Sequence, residues 1–225
     1  MNIDFKFVPK HYAARSHEKM KEVLMNPNAE GPSIHYYMIR GDMKEGRGNN
    51  ITIWEPGTVG SEYIKTYGHY HVGNLDETYK FISGQGIALL QKLAVEEGQN
   101  TSKVAEGLLR GGQKNMIPDI VEEFKAIPVK AGDELFIPAG YGHLVANTGQ
   151  DFLVTSDDSP VNFTEVNPAS LPGHADYELV RKMGGFAYYV VENNGKPALV
   201  KNKLYKEVLK AELANLPVID MSADI

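Results

Sequence analysis

Along most of the chain, apolar and polar residues alternate in short runs broken by glycine, proline and asparagine. A period of two of this kind points to strands rather than helices. Strands are expected at residues 34–39, 50–54, 62–67, 77–83, 87–92, 126–129, 134–137, 142–147, 152–156 and 186–192. Two segments depart from that rhythm. Ser16 stands ahead of Met20, Val23 and Leu24 at helical spacing, so a capped short helix is expected over 16–25. Leu204, Val208 and Leu209, with lysines between them, suggest an amphipathic helix within 198–216. The stretch between Lys92 and Val129 is longer than adjacent strands need and contains a helix-like segment at 101–109, read as a surface insertion in preference to a lid. The pattern divides the chain into an N-terminal extension with a short helix at 1–33, a β-barrel or sandwich at 34–197 with an insertion at about 93–125, and a helical tail at 198–225.

Within this frame four side chains stand out. In an extended strand His69 and His71 point to one side and Tyr70 to the other, so the two imidazoles can grip one ion. Glu77, Tyr79 and Phe81 share a face of the next strand, and the intervening 72–76, with Gly73 and Asn74, suits a hairpin that brings Glu77 to the histidine pair. Farther on, turns at Ala131-Gly-Asp133 and Pro138-Ala-Gly140 frame a short strand and present His143, with Asn147 as a turn-stabilising partner. A histidine pair alone is a weak signal. Joined by a carboxylate in phase and a third histidine in a Gly/Pro-framed turn, it becomes specific for one mononuclear metal site.

Composition narrows the chemistry. The 225 residues are 42% hydrophobic and 23% charged, ordinary material for one globular domain with appendages. With no cysteine, disulfides, thiolate ligands and cysteine nucleophiles are excluded, which leaves imidazole and carboxylate as ligands. A formal charge of −6 and the lack of a dense Lys/Arg run argue against nucleic acid as a partner. Neither a signal segment nor an apolar run of membrane length is evident, so a cytoplasmic protein without a membrane partner is expected. His11, His17 and His35 lack a partner pattern and read as surface or strand histidines. Trp54 reads as core filling, and Asp157 and Asp158, beside Ser159-Pro160, as a solvated turn.

His69, His71, Glu77 and the run Pro138, Gly140, His143 and Asn147 resemble the two motifs of the cupin superfamily, HxH with a following Glu and PxGxxHxxxN. The first motif carries Tyr63 where a glycine is usual and has a longer gap than usual before Glu77. Together with Pro56-Gly-Thr-Val-Gly60, Tyr67-Gly-His-Tyr-His71, Glu77-Thr-Tyr79 and Gly173-His174, the chain resembles the cupin-type glucose-6-phosphate isomerases over roughly 34–205. The resemblance implies a mainly β fold, a cupin (double-stranded β-helix, jelly-roll) barrel, here with short helical extensions at both ends. It also implies a homodimer that interconverts glucose 6-phosphate and fructose 6-phosphate with one divalent ion per subunit, Fe²⁺ first, with Mn²⁺, Ni²⁺ and Zn²⁺ as alternatives. Its metal ligands carry over onto His69, His71, Glu77 and His143. Its substrate contacts carry over onto Thr52, Thr66, Gly68 and Tyr79, and less directly onto His174 and Tyr177, since the family's His-x-Tyr is His174-Ala-Asp-Tyr177 here. Ser159 stands where the family has a tyrosine.

Three histidines and one carboxylate leave a six-coordinate ion open positions, whereas tetrahedral zinc is nearly saturated. The leading expectation is that Glu77 acts as the base and carries a proton between C1 and C2 of an open-chain sugar phosphate; a hydride shift uses the same residues. The phosphate then relies on local donors, backbone N–H groups near Gly68 and the hydroxyls of Thr52 and Thr66. A cupin dioxygenase and a non-catalytic sugar-binding cupin remain as competing readings. Strand parity sets Thr66 and Gly68 opposite to His69 and His71, so all four face one pocket only if a bulge intervenes, and Gly68 is its natural place.

Overall fold

Period-two burial organises the molecule. In the computed structural model, which describes residues 12–40, 49–71, 73, 75–95, 116–160 and 175–221, most of the chain is strand. The first strands in chain order are β1 (Tyr12–Ser16), β2 (Ile34–Ile39), β3 (Asn50–Trp54), β4 (Thr58–Val59), β5 (Glu62–Tyr63), β6 (His69–His71) and β7 (Glu77–Ser83). They are followed by β8 (Gln85–Val95), β9 (Met116–Lys130), β10 (Glu134–Ile137), β11 (Gly142–Asn147) and β12 (Leu153–Asp157). The remainder are β13 (Ala175–Asp176), β14 (Tyr188–Asn193), β15 (Lys196–Lys201), β16 (Glu207–Glu212) and β17 (Val218–Ile219). Among the described residues two short α-helices, α1 (His17–Met20) and α2 (Glu178–Lys182), interrupt them.

One sheet runs β1-β2-β3-β12-β7-β10 and the other β13-β6-β11-β8-β9-β16, the jelly-roll arrangement expected of this pattern. Strands β3 and β12 alternate buried and half-buried residues, which marks a sheet with one face in the core. β8 and β11 instead are buried on both faces, and they read as nearly continuous apolar runs for that reason. Their outer face is covered by the segment around Phe186 and Tyr188, whose rings meet Tyr70 and Phe124. A third sheet, β17-β15-β14-β5-β4, completes that layer.

Three expectations are corrected. β6 and β7 do not pair as a hairpin: β6 lies between β11 and β13, and β7 between β12 and β10. β6 and β7 therefore belong to different sheets, and the histidines and Glu77 approach the core from opposite sides. The tail is not helical. Within 198–216 the structure has the end of β15 and all of β16, the first paired with β14 and β17 and the second parallel to β9. Leu204 and Leu209 are exposed, so the helical spacing had no apolar face to bury, and pairing with open sheet edges prevailed. The strands expected at 87–92 and 126–129 are the roots of the longer β8 and β9 arms; the helix-like 101–109 lies outside the described residues. His11 and His174 lie outside them as well.

The N-terminal helix forms as expected but is short. Ser16 accepts a hydrogen bond from the Lys19 N–H at 3.3 Å, and after α1 a 3₁₀ turn at Lys21–Val23 ends on extended Leu24. It stops there because a buried ion pair takes its backbone groups: Lys65 Nζ donates to the Val23 carbonyl at 2.6 Å, and Glu62 accepts from the Met25 N–H at 2.7 Å. Lys65 and Glu62 lie 3.1 Å apart and are almost wholly buried. Lys65→Met leaves Glu62 without its cation, and a loss of about 3–5 kcal/mol in unfolding free energy is expected by urea denaturation, with partial recovery when Glu62→Leu is added.

His17 and His35 prove to be partners. Their rings stack at 5.2 Å with Nδ1 of His17 2.9 Å from Nε2 of His35, and His17 Nε2 donates to the Ala29 carbonyl at 3.1 Å. The two rings thus share one proton along the line between His17 Nδ1 and His35 Nε2. Gly31 is required beside them, since a Cβ there would come within 2.7 Å of the His17 ring. Burial, then the neighbouring His17 and Lys65, lower the His35 pKa from 6.5 to about 4. Between those values the unfolded chain binds the proton more readily, so stability is lost as pH falls from 6.5 towards 4. Melting temperature against pH is expected to drop through this window, and His35→Gln to flatten that part of the slope.

Candidate metal centre

The site begins with β6, held from behind. Tyr70, on the face opposite His69 and His71, accepts from Gln91 Nε2 at 2.6 Å; the same nitrogen reaches Tyr205 at 3.0 Å and Gln91 Oε1 accepts from the Ala187 N–H. Gly142 makes this possible, because a Cβ at that position would sit 2.7 Å from the Tyr70 ring. The next residue, His143, is the strand partner of His69. Asn147 closes the turn after β11 by donating to the Trp54 and Asp151 carbonyls and accepting from the Gly149 N–H, as expected of a turn partner. Trp54 is fully buried in the core.

Glu77 enters from the opposite sheet as the first residue of β7. Its Oε2 lies 3.2 Å from His71 Nε2 and 3.1 Å from His143 Nε2, with all three side chains almost completely buried. His71 Nδ1 donates to the Leu75 carbonyl at 3.1 Å, which turns its Nε2 lone pair into the site. One donor atom from each of His69, His71, Glu77 and His143 lies within 4.8 Å of all the others. Neighbouring ligands on one ion at about 2.1 Å are roughly 3 Å apart, so the donor set fits a single divalent cation.

Burial is the largest influence on Glu77 and pushes its carboxyl up to about 7; the His71 hydrogen bond opposes this and Asp157 adds to it. On His71 burial acts the other way, but the hydrogen bond and charge of Glu77 and the Leu75 carbonyl together raise its pKa. The pair therefore holds a proton that a bound cation would displace. Tyr79, whose hydroxyl is 3.2 Å from His143 Nε2, is kept a neutral phenol by burial and by the nearby Glu77.

Thr52, Thr66, Gly68, Tyr79 and Tyr177 line the same cavity as His69, Glu77 and His143. Gly68 has φ +83°, outside any strand, and this break lets Thr66, Gly68 and His69 face one cavity despite their parity. Thr66 Oγ1 accepts from the Val145 N–H, so its hydroxyl proton is available. Tyr177 lies 5.1 Å from the His69 ring and edge-on to Tyr67, so the altered spacing after residue 174 still delivers it to the cavity.

Asp157 is a correction. It is buried rather than solvated, lines the cavity, and accepts from Asn50 Nδ2 at 2.7 Å and from the Ser159 hydroxyl and N–H. Asp158 is tied in as well, accepting from the Thr78 N–H at 2.7 Å. Tyr36 and Arg40 also line the cavity, unmarked in the sequence reading although they share strand parity on and just beyond β2.

A family model described as glucose-6-phosphate isomerase matches residues 36–207. The glucose-6-phosphate isomerase of Pyrococcus abyssi is 31% identical over 192 residues, covering 84% of this chain and 80% of its own. That of Thermococcus litoralis is 31% identical over 182 residues, covering 79% and 75%. A solved double-stranded β-helix protein from Klebsiella pneumoniae overlays 59% of this chain and 83% of its own at 14% identity and a TM-score of 0.35, too loosely to carry weight. The chain belongs to the glucose-6-phosphate isomerase family.

Removing one imidazole from the cluster is expected to abolish tight binding while sparing the fold. Elemental analysis after metal loading and desalting should give close to one divalent ion per chain for the wild type and, for His143→Ala, a loss on the order of 10–100-fold or more in affinity.

Proposed function

We propose that this member of the glucose-6-phosphate isomerase family interconverts glucose 6-phosphate and fructose 6-phosphate, and that the reaction depends on a divalent cation held by His69, His71, Glu77 and His143. The observation that carries this reading is the buried Glu77 between two imidazoles, in a cavity that also presents Thr52, Thr66 and Tyr79. When bound, the cation would supply Lewis-acid polarisation of the substrate's C1 and C2 oxygens.

Glu77 is the base. Its buried carboxylate, 3.1–3.2 Å from two imidazoles in the cavity, is the group placed to carry a proton from C2 to C1 and back. His71 holds and orients it, itself fixed by the Leu75 carbonyl. Tyr79, neutral and 3.2 Å from His143, serves as a hydroxyl donor to the sugar. The hydroxyls of Thr52 and Thr66 and the backbone at Gly68 contribute further polar contacts, with Tyr177 covering His69. His174 and Tyr177 complete the proposed substrate set. Fe²⁺ is the favoured ion, since three imidazoles and a carboxylate leave a six-coordinate metal with open positions, and Mn²⁺, Ni²⁺ and Zn²⁺ are tested against it. A homodimer acting in the cytoplasm is part of the same proposal; among the described residues no helix is long and apolar enough to cross a membrane.

The test is isomerisation of fructose 6-phosphate by metal-stripped protein reloaded with each ion in turn. Turnover is expected to vanish on stripping and to return best with Fe²⁺. Glu77→Gln is expected to reduce kcat by about 10²–10⁴-fold with circular dichroism unchanged, as for loss of a general base; near-normal turnover in this variant would remove Glu77 from the role.

A further inference from the structure

The charges around the cavity are unevenly placed. Glu77 and Asp157 stand with the histidines, whereas Arg40 is the cationic Lys or Arg side chain found among its described lining residues. Arg40 follows directly on Ile39, which opposes Ile51, and so continues a row across the first sheet through Asn50 and Asp157 to Tyr79. Those three strand steps set its backbone roughly 14 Å from that of Tyr79, whose hydroxyl touches the metal-ligand cluster. Asp157 Oδ1 is engaged by Asn50 and Ser159, and no ion pair joins Asp157 to Arg40 among the described residues. The hydrogen bond formed by Arg40 among the described residues is to the Met38 sulfur at 3.5 Å, and no carboxylate pairs with it there.

A second cation stands behind the same wall. Arg15 is only 7% exposed, its Nη2 has no hydrogen-bond partner, and no carboxylate among the described residues pairs with it. It is held by the faces of Tyr36, Tyr67 and Tyr177 at 5.6–5.8 Å. A buried cation without a counter-ion is costly, and three aromatic faces offset only part of that. Arg15 Nε donates to the Tyr36 hydroxyl at 3.1 Å, and the Tyr67 N–H donates to the same oxygen at 3.3 Å. With both lone pairs occupied, that hydroxyl has only its own proton left to offer, and Tyr36 lines the cavity.

We propose that Arg40, directly, and Arg15, as a positioning residue acting through the Tyr36 hydroxyl, form an anion-recognition wall that takes the phosphate group of the substrate across the cavity from the metal-ligand cluster. A guanidinium and a preset hydroxyl donor match a phosphate's oxygens, and the separation of the two ends orders a sugar phosphate with its reacting carbons at Glu77. The identity of the sugar rests on the isomerase reading above; the anionic class rests on the arginines.

The experiment uses metal-loaded wild type, Arg40→Met, Arg40→Lys and Arg15→Met, with fructose 6-phosphate kinetics, calorimetric titration of inorganic phosphate, bound-metal content and melting temperature. Arg40→Met is expected to raise KM and the phosphate Kd about tenfold or more at unchanged metal content, with kcat less affected and Arg40→Lys recovering part of the loss. Arg15→Met is expected to raise KM several-fold without lowering Tm, as removal of an uncompensated buried charge should. Wild-type KM and phosphate affinity in Arg40→Met would overturn the wall. A lowered Tm with unchanged KM in Arg15→Met would overturn the part given to Arg15. If the wild type bound phosphate in an Arg40-dependent way yet turned over no fructose 6-phosphate with any ion, the wall would stand and the isomerase reading would fall.

Discussion

Four donor atoms converge on one point from two different sheets: Glu77 arrives on β7 of the first, and His69, His71 and His143 on β6 and β11 of the second. That convergence depends on register, since a slip of one residue in β6, β7 or β11 would turn a ligand out of the site. Without a cation the same geometry is tolerated because Glu77 and the imidazoles can share a proton; isolated buried charges at these positions would be expensive. A proton and a bound cation would therefore compete for one buried cluster.

Much of the surrounding polar structure serves that register. Gln91 ties Tyr70, on the reverse of the histidine strand, to Tyr205 and the backbone at Ala187, so β6 is anchored to the layer behind it. Asn147 staples the end of β11 to β3 and to the following turn. The Glu62–Lys65 pair joins the N-terminal turn to the strand region leading into the site. Each group is buried, and each would leave a partner stranded if removed, so these contacts define a geometry more than they add net stability.

The cavity itself is polarised. Its acidic and imidazole groups gather at one end, while Arg40 and the Tyr36 hydroxyl backed by Arg15 stand elsewhere on its wall. In a chain of net charge −6 the overall field gives an anion no help, so recognition of an anionic sugar falls to local groups of this kind. Family membership and local electrostatics thus point the same way from separate observations.

Several elements were legible in the chain because they depend on neighbours in sequence. Strands 34–39, 50–54, 77–83, 134–137 and 142–147 follow from period-two alternation between turn residues, and Ser16 capped its helix through a bond within one turn. The pairing of His69 with His71 on one face was legible because residues two apart on a strand share a face. Contacts between distant segments were not. Pairing at open edges made strands of the tail where Leu204, Val208 and Leu209 had suggested a helix, and sheet-to-sheet packing replaced the expected hairpin at 72–76. Asp157 looked like a solvated turn until Asn50 and Ser159 buried it, and His17 and His35, eighteen residues apart, gave no sign of their stacking. Local sequence determines backbone period and side-chain phase; which faces meet, and which polar groups lose water, is decided only when the sheets close on one another.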